Sequence, residues 1–304
     1  MSRLIRILLI ALTVVLLLSG CTSRPSYRKV RLNEVREIAS TPHPSKLALR
    51  VAVANVLSPQ SSVKTYGELL AYLERKLGRP VVLIQRTSYA EINDLIRFGG
   101  ADMAIVCSGA YVLGRRDFGM ELLVAPQMNG KTVYYSYLIV PSDSPAQTLR
   151  DLRGKIFAFT DPWSNSGRIA PTYQLLRLGE RPETFFSKVI FTYSHDRSIQ
   201  AVADKLVDGA AVDSLVYDAL KVGNPEMVAK TRVIAIWGPY GIPPLVVHPA
   251  LNPEIKTRLR QVLLDMDRDP EGRMVLARLR IDRFVPIKDA AYSSVRTMVE
   301  AMGL

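Results

Sequence analysis

Between residues 46 and 115 three short apolar runs alternate with segments of helical spacing, and this alternation constrains the fold more than any other feature. Residues 46–54 read as a strand, β-rich and alternating, stopped by Asn55 and Pro59. Residues 66–77 place Leu69, Leu70, Tyr72, Leu73 and Leu77 at helical spacing, and Gly78 and Pro80 close the helix. Residues 81–84 read as a strand, 89–98 as a helix ending at Gly99-Gly100, 103–107 as a strand and 110–115 as a helix. Strands separated by helices pair in parallel, and the helices cover both faces of the sheet.

A second series follows a long Tyr-rich strand at 132–140. Strands are predicted at 156–160, 188–193 and 210–212, and helices at 169–178, 198–207 and 215–222. Strands at 233–237 and 245–248 lead back, and the chain ends in helices over 253–266, 270–277 and 290–302. The expected fold is α/β with two lobes, each a mainly parallel sheet flanked by helices. Lobe 1 is expected to hold residues 46–141 and 240–304, and lobe 2 residues 142–239. Ligands of open α/β sheets bind beyond the carboxyl ends of the strands, so a ligand cleft is expected between the lobes.

Residues 1–20 read as a secretory signal. Arg3 and Arg6 precede an apolar run over residues 7–18, and Leu18-Ser19-Gly20-Cys21 follows. The run is shorter than the roughly 20 apolar residues of a membrane span. The ending resembles the lipobox of bacterial lipoproteins, which implies diacylglycerol on Cys21 as the mature N-terminus. The alternatives are an uncleaved anchor and an ordinary signal peptide. Residues 21–45, with Pro25, Pro42 and Pro44 and no sustained apolar period, read as a lipidated tether, extended or disordered. The expected location is the bacterial cell envelope, lipid-anchored and facing the periplasm or the exterior.

The formal charge is +12, and removing residues 1–20 lowers it to +10. Such a surplus favours anionic partners or simply solubility. No zinc-finger or RNA-binding signature is present, and nucleic acid is not expected as a partner. With Cys21 assigned to lipid, Cys107 has no intrachain disulfide partner and reads as a small core residue. His43 and His248 have no metal-ligand spacing around them, so no metal and no cofactor is expected.

The most informative segment is Phe157-Ala-Phe-Thr-Asp-Pro-Trp-Ser-Asn-Ser-Gly-Arg. A strand ends near Thr160, Asp161-Pro162 turns, and Ser164-Asn165-Ser166-Gly167 opens a helix. Ser and Asn at a helix start cap its free N–H groups, and the same geometry holds anions. Both readings stand on this segment alone.

Taken in order, four pieces resemble the periplasmic phosphonate/phosphite-binding proteins, the substrate-binding subunits of ABC importers. They are Asp161-Pro-Trp-Ser-Asn-Ser-Gly, similar to the family's D-P-x-S-T-S-G; Ser194-His195-Asp196 with its trailing helix; Tyr89 in Ser-Tyr-Ala-Glu-Ile; and Tyr134 in Tyr-Tyr-Ser-Tyr-Leu-Ile-Val. The resemblance spans nearly all of residues 46–290. It implies a two-lobed periplasmic-binding-protein fold and capture of a small oxyanion, delivered to an ABC permease. Ser164, Asn165 and Ser166 would hold the oxyanion, His195 would add a donor, and Tyr89 and Tyr134 would offer phenols from the first lobe. Asn165 stands where the family has Thr. Relatives that bind aminophosphonates add carboxylates near the ammonium; Leu215 and the Pro243-Pro244 region stand where such groups are sought, and Asp213 is the nearest candidate, with a strand-end cap as its other reading. With an ordinary pKa near 6.5, His195 could make affinity follow pH.

The expected protein is a monomer and a binder. The same fold could instead serve as a ligand sensor for a membrane receptor or kinase. An extracytoplasmic hydrolase is the third reading: G-x-S-x-G and H-E-x-x-H are absent, but Ser164 or Ser166 with His195 could mimic a nucleophile–base pair.

Overall fold

The computed structural model describes residues 48–54, 56 and 58–304. The expected signal and tether, with Cys21, lie outside the described residues. β1 (Leu49–Val53), β2 (Val81–Gln85) and β3 (Met103–Ile105) alternate with α1 (Pro59–Leu77), α2 (Tyr89–Arg97) and α3 (Ser108–Phe118). β1 pairs in parallel with both of its neighbours, Val51 standing opposite Leu83 on one side and Met103 on the other. α1 buries Leu69, Leu70, Tyr72, Leu73 and Leu77, the face that its spacing predicts. It stops at Gly78, whose φ of +62° is a left-handed conformation that suits glycine and lets its N–H reach the Glu74 carbonyl. A reciprocal Ser88–Glu91 capping box starts α2.

β4 (Glu121–Gln127) leads through residues 128–132 into a second sheet. That sheet holds β5 (Val133–Pro141), β6 (Ile156–Phe159), β7 (Lys188–Phe191), β8 (Gly209–Asp213) and β9 (Thr231–Gly241), with α4 (Ala170–Arg177), α5 (His195–Ala203) and α6 (Ser214–Gly223) among its connections. The chain returns through residues 242–244 to β10 (Leu245–Val247), α7 (Pro253–Leu264), α8 (Pro270–Leu279), β11 (Arg283–Val285) and α9 (Ser293–Ala301). The strand orders are β11-β4-β10-β3-β1-β2 and β7-β6-β8-β5-β9.

The two expected lobes correspond to these two sheets, with two corrections. Each sheet has a parallel trio, extended by antiparallel strands, and so is mixed rather than mainly parallel. Residues 133–141, expected in the first lobe, form β5 of the second, pairing antiparallel with β8 and β9 along most of their length. These two ladders satisfy both edges of the strand, so the lobes part at residues 128–132 and 242–244.

One apolar cluster packs α1, α7 and α8 under the first sheet, through Leu69, Leu73, Leu259, Leu263, Val275 and Leu276. On its other face a cluster joins α2, α3 and α9 to Tyr134, Ile169 and Tyr240 of the second lobe. The lobes thus share a core on the α9 side. β1, β2, β3, β6, β7 and β8 each run out into a helix start, and these starts face the line where the lobes meet.

Candidate functional site

All seven residues singled out in the sequence are buried at that line: Tyr89, Tyr134, Ser164, Asn165 and Ser166 at 0 %, His195 at 1 % and Asp213 at 2 % exposure. β6 ends at Phe159, and Ser164 caps the turn that follows, its hydroxyl oxygen accepting from the Gly167 N–H at 3.0 Å. Residues Asn165–Ile169 form a single π-helical turn that runs into α4. Ser164 is therefore a cap, as one of its two readings had it, while the Ser166 hydroxyl has no hydrogen-bond partner.

Tyr134 and Ser136 sit two residues apart on β5 and so share one face of it. That face meets the π turn: the Asn165 amide donates to the Tyr134 phenol oxygen at 2.9 Å, and the Ser136 hydroxyl donates to the Ser166 carbonyl at 2.7 Å. Tyr134 thus belongs to the second lobe, which corrects its expected place in the first. Tyr89 does come from the first lobe, at the start of α2, and its hydroxyl is also unpaired. Burial foremost pushes both phenols well above their ordinary pKa, with the charges of nearby groups adding to it. Both remain protonated donors.

His195 opens α5. Its Nδ1 lies 3.1 Å from the Asp213 backbone N–H, which can only donate. Nδ1 is therefore unprotonated and also accepts from the Thr160 hydroxyl at 3.1 Å. The proton of the neutral ring sits on Nε2, 3.5 Å from the Ser164 hydroxyl oxygen. Burial pushes the His195 pKa down to about 3, so the ring stays neutral across the physiological range. The expected pH response through His195 is overturned by this burial. A titrating group lies beside it instead: Asp213, which caps α6 by accepting from the Leu215 N–H at 2.7 Å, is pushed up to about 7 by burial.

Sequence reasoning missed the contacts that hold the two lobes together. Buried Asp161 accepts from the Trp163 N–H at 2.8 Å and, across the cleft, from the Tyr89 N–H at 3.0 Å. Asp196 accepts from the Ser58 N–H at 3.0 and 3.1 Å, and the His195 N–H donates to the Val56 carbonyl at 3.0 Å. The Asn165 N–H points at the sulfur of Cys107, 3.3 Å away. Cys107 is buried, as expected, and burial raises its thiol to about 11. Gly109 comes so close to the Trp163 carbonyl that a Cβ there would lie 2.4 Å from it. Of these residues, Asp161 and Asp196 stood in the motifs singled out from the sequence, but nothing there named their partners across the cleft.

No lysine or arginine is buried among the described residues. Half-buried Arg168, in the same turn, donates to the Pro162 carbonyl at 3.0 Å and interacts with the Asp161 charge, while the fully buried side-chain donors of the cluster are hydroxyls, an amide and an imidazole, joined by helix starts. Such a set can surround an anion with neutral dipoles. Among the described residues no group of His, Cys, Asp or Glu has the arrangement of a metal site.

A family model described as ABC transporter, phosphonate, periplasmic substrate-binding protein matches residues 51–292. The phosphonates-binding periplasmic protein of Escherichia coli is 29 % identical over 239 residues, 76 % of this chain and 70 % of that one. The phosphate-import protein PhnD of Mycolicibacterium smegmatis is 29 % identical over 265 residues, 79 % and 81 % of the two chains. Among solved structures, a binding-protein component of a Pseudomonas aeruginosa ABC phosphonate transporter superposes with a TM-score of 0.78 at 24 % identity, covering 83 % of this chain and 85 % of that one. PhnD1 of Prochlorococcus marinus, solved with methylphosphonate, gives 0.77 at 20 % identity, covering 84 % and 98 %. These likenesses share the fold of two helix-flanked sheets, and with the matched residues they make the chain a member of the phosphonate-binding periplasmic proteins of ABC transporters.

Proposed function

We propose that this protein captures a small tetrahedral oxyanion, of the phosphonate, phosphite or phosphate kind, by closing its two lobes on it, and delivers it to an ABC permease. The observation that carries the reading is the pair of unpaired buried hydroxyls, Tyr89 from the first lobe and Ser166 from the second, in a cluster of neutral donors. A buried hydroxyl without a partner costs about 1–3 kcal/mol. A ligand that accepts from both would recover that cost only when the lobes are together. His195 Nε2–H, the Tyr134 hydroxyl and the Asn165 amide complete the donor set. The relatives named for phosphonates and phosphate, and the methylphosphonate complex, favour the same ligand class.

The protein acts as a binder and not as a hydrolase. Nε2 faces Ser164 with its proton on, and Nδ1 accepts from a backbone N–H instead of donating to a carboxylate. The ring is therefore arranged to donate and not to remove a proton from Ser164. The body works as a monomer, held at the membrane by lipid on Cys21. The 24 residues from Thr22 to Ser45 reach at most roughly 80 Å.

Ser166→Ala and Tyr89→Phe test the reading by splitting stability from affinity. Without ligand, each variant melts at or slightly above the wild-type temperature, because a hydroxyl without a partner has been removed. With methylphosphonate, each loses at least about tenfold in affinity, the cost of one charge-assisted hydrogen bond. Wild-type affinity in both variants would refute these assignments.

A further inference from the structure

The second lobe carries a cavity of its own, which none of the seven residues of the donor cluster lines. It encloses about 310 Å³ beside β7, the edge strand of the sheet, a volume at the small end of organic-ligand sites. Phe159, Phe186 and Phe191 form its apolar wall. Phe159 stands opposite Phe191 across the β6–β7 ladder, its ring 5.9 Å from that of Phe191 and 6.3 Å from that of Phe186. Packing of the lobe's own core therefore holds the wall in place. Three charged side chains share the lining: Arg168, Lys188 and Glu183. Lys188 and Glu183 are exposed and mark the mouth, whereas Arg168 is half-buried and comes from the π turn. A guanidinium presents a fork of N–H donors. Here Nη1 donates to the Pro162 carbonyl at 3.0 Å, and no other donor of the fork has an acceptor among the described residues. Burial pushes the Arg168 pKa down, against the charges of Glu183 and Asp161. A partly desolvated fork with donors to spare suits a carboxylate, which takes two parallel bonds from it.

We propose that this cavity is a second site, for a small aromatic carboxylate, and that its occupancy opposes capture of the oxyanion. The ring lies against the three phenylalanines, and the carboxylate bonds Arg168 with Lys188 beside it. The first half stands on the cavity alone, and the second rests on the oxyanion reading above. Coupling follows from what Arg168 already holds. Its backbone N–H donates to the Ser164 carbonyl at 3.1 Å, and its side chain fastens the carbonyl of Pro162. The residue before Pro162 is Asp161, which accepts from the Tyr89 N–H across the cleft. A carboxylate on Arg168 draws the guanidinium away from Pro162 and removes positive charge that favours ionised Asp161. Both changes weaken the Asp161–Tyr89 bond and so the closed form. Glu183 faces the same guanidinium and repels a second carboxylate, so this residue sets an upper bound on affinity that a substitution can lift.

Calorimetric titration of the full-length chain with benzoate, benzamide and acetate, alone and against methylphosphonate, tests this. Benzoate is expected to bind with a Kd on the order of 1 mM, and benzamide, without the charge, and acetate, without the ring, at least about tenfold more weakly. Arg168→Met should cost benzoate at least about tenfold. Lys188→Ala should weaken it about threefold and Glu183→Gln should tighten it about threefold, both with methylphosphonate affinity in the absence of benzoate unchanged. Ser166→Ala should leave benzoate binding as it is. Saturating benzoate should weaken methylphosphonate about fivefold, with the loss levelling off at saturation, and methylphosphonate should weaken benzoate by the same factor. No benzoate binding, or binding that ignores all three pocket variants, would overturn the proposal. A loss of methylphosphonate affinity that grows without limit would place benzoate in the oxyanion site and overturn it too. Methylphosphonate affinity untouched by saturating benzoate would overturn the coupling. Benzoate binding that follows the variants while methylphosphonate fails to bind at all would remove the oxyanion reading and support the second site.

Discussion

Gly109→Ala is expected to fold normally and to lose ligand capture by at least about 100-fold, which corresponds to about 2.7 kcal/mol. Two opposing effects meet at this position. Within α3, alanine is the better helix former by about 1 kcal/mol, so the first lobe gains local stability. Across the cleft, the added Cβ would sit 2.4 Å from the Trp163 carbonyl oxygen, 2.7 Å from Ile169 Cδ1 and 3.2 Å from the Asn165 nitrogen. The carbonyl is backbone in a capped turn and cannot swing aside as a side-chain tip would. Overpacking of this kind costs about 1–3 kcal/mol or more, and the cost arises only when the lobes are together. The equilibrium therefore shifts toward the open form, and apparent affinity falls with the closed population. Small-angle scattering separates this from misfolding: the variant should keep its open-state radius at a methylphosphonate concentration that compacts the wild type. Normal compaction and affinity would show that Gly109 does not touch the second lobe on closure.

Asp213→Asn is expected to stabilise the protein, most of all above pH 7. The carboxyl is buried and its pKa is pushed up to about 7, from an ordinary value of 3.8. Between those values the native state holds a proton that the unfolded state has lost. Stability from this group is thus full below pH 3.8 and falls as pH rises toward 7. The shift of about three units corresponds to about 4 kcal/mol at pH 8. Asparagine keeps the cap on α6, since its side-chain oxygen can still accept from Leu215, and carries no charge to bury. The rise in melting temperature should be small near pH 4 and reach its maximum above pH 7. Buried Asp161 also faces the cluster, and its pKa is likewise raised by burial. Its two backbone N–H donors and the Arg168 charge offset part of that penalty, and Asp213 is the group pushed up to about 7. The same charge weakens oxyanion binding above pH 7, so the ratio of variant to wild-type affinity should grow between pH 6 and pH 8. That ratio cancels the ligand's own titration. A melting difference independent of pH would mean that Asp213 is ionised throughout.

What was legible in the sequence was local. The helix face of Leu69, Leu73 and Leu77 and the turn from Asp161 to Gly167 each carry their signal within a dozen residues, and both are present as read. What was not legible depends on partners far along the chain. β5 lies in the second lobe because it pairs with β8 and β9, and nothing within 133–141 names those partners. The Asp161–Tyr89 and Asp196–Ser58 bonds join residues 72 and 138 positions apart and use backbone N–H groups, which leave no trace in residue type. His195 has an ordinary titration range as a free side chain. Its burial between Thr160 and the Asp213 backbone fixes its tautomer and holds it neutral.

The central claim is that neutral donors from two closing lobes enclose an oxyanion, and that the surface charge of +12 plays little part. Calorimetric titration of methylphosphonate into the full-length chain at rising salt tests this most directly. From about 0.1 M to 1 M salt the Debye length falls from about 10 Å to about 3 Å, which screens surface charges and leaves buried groups largely unaffected. Saturable one-to-one binding whose affinity changes by no more than about twofold over that range is the predicted result. Affinity that collapses with salt, or no saturable binding at all, would contradict it.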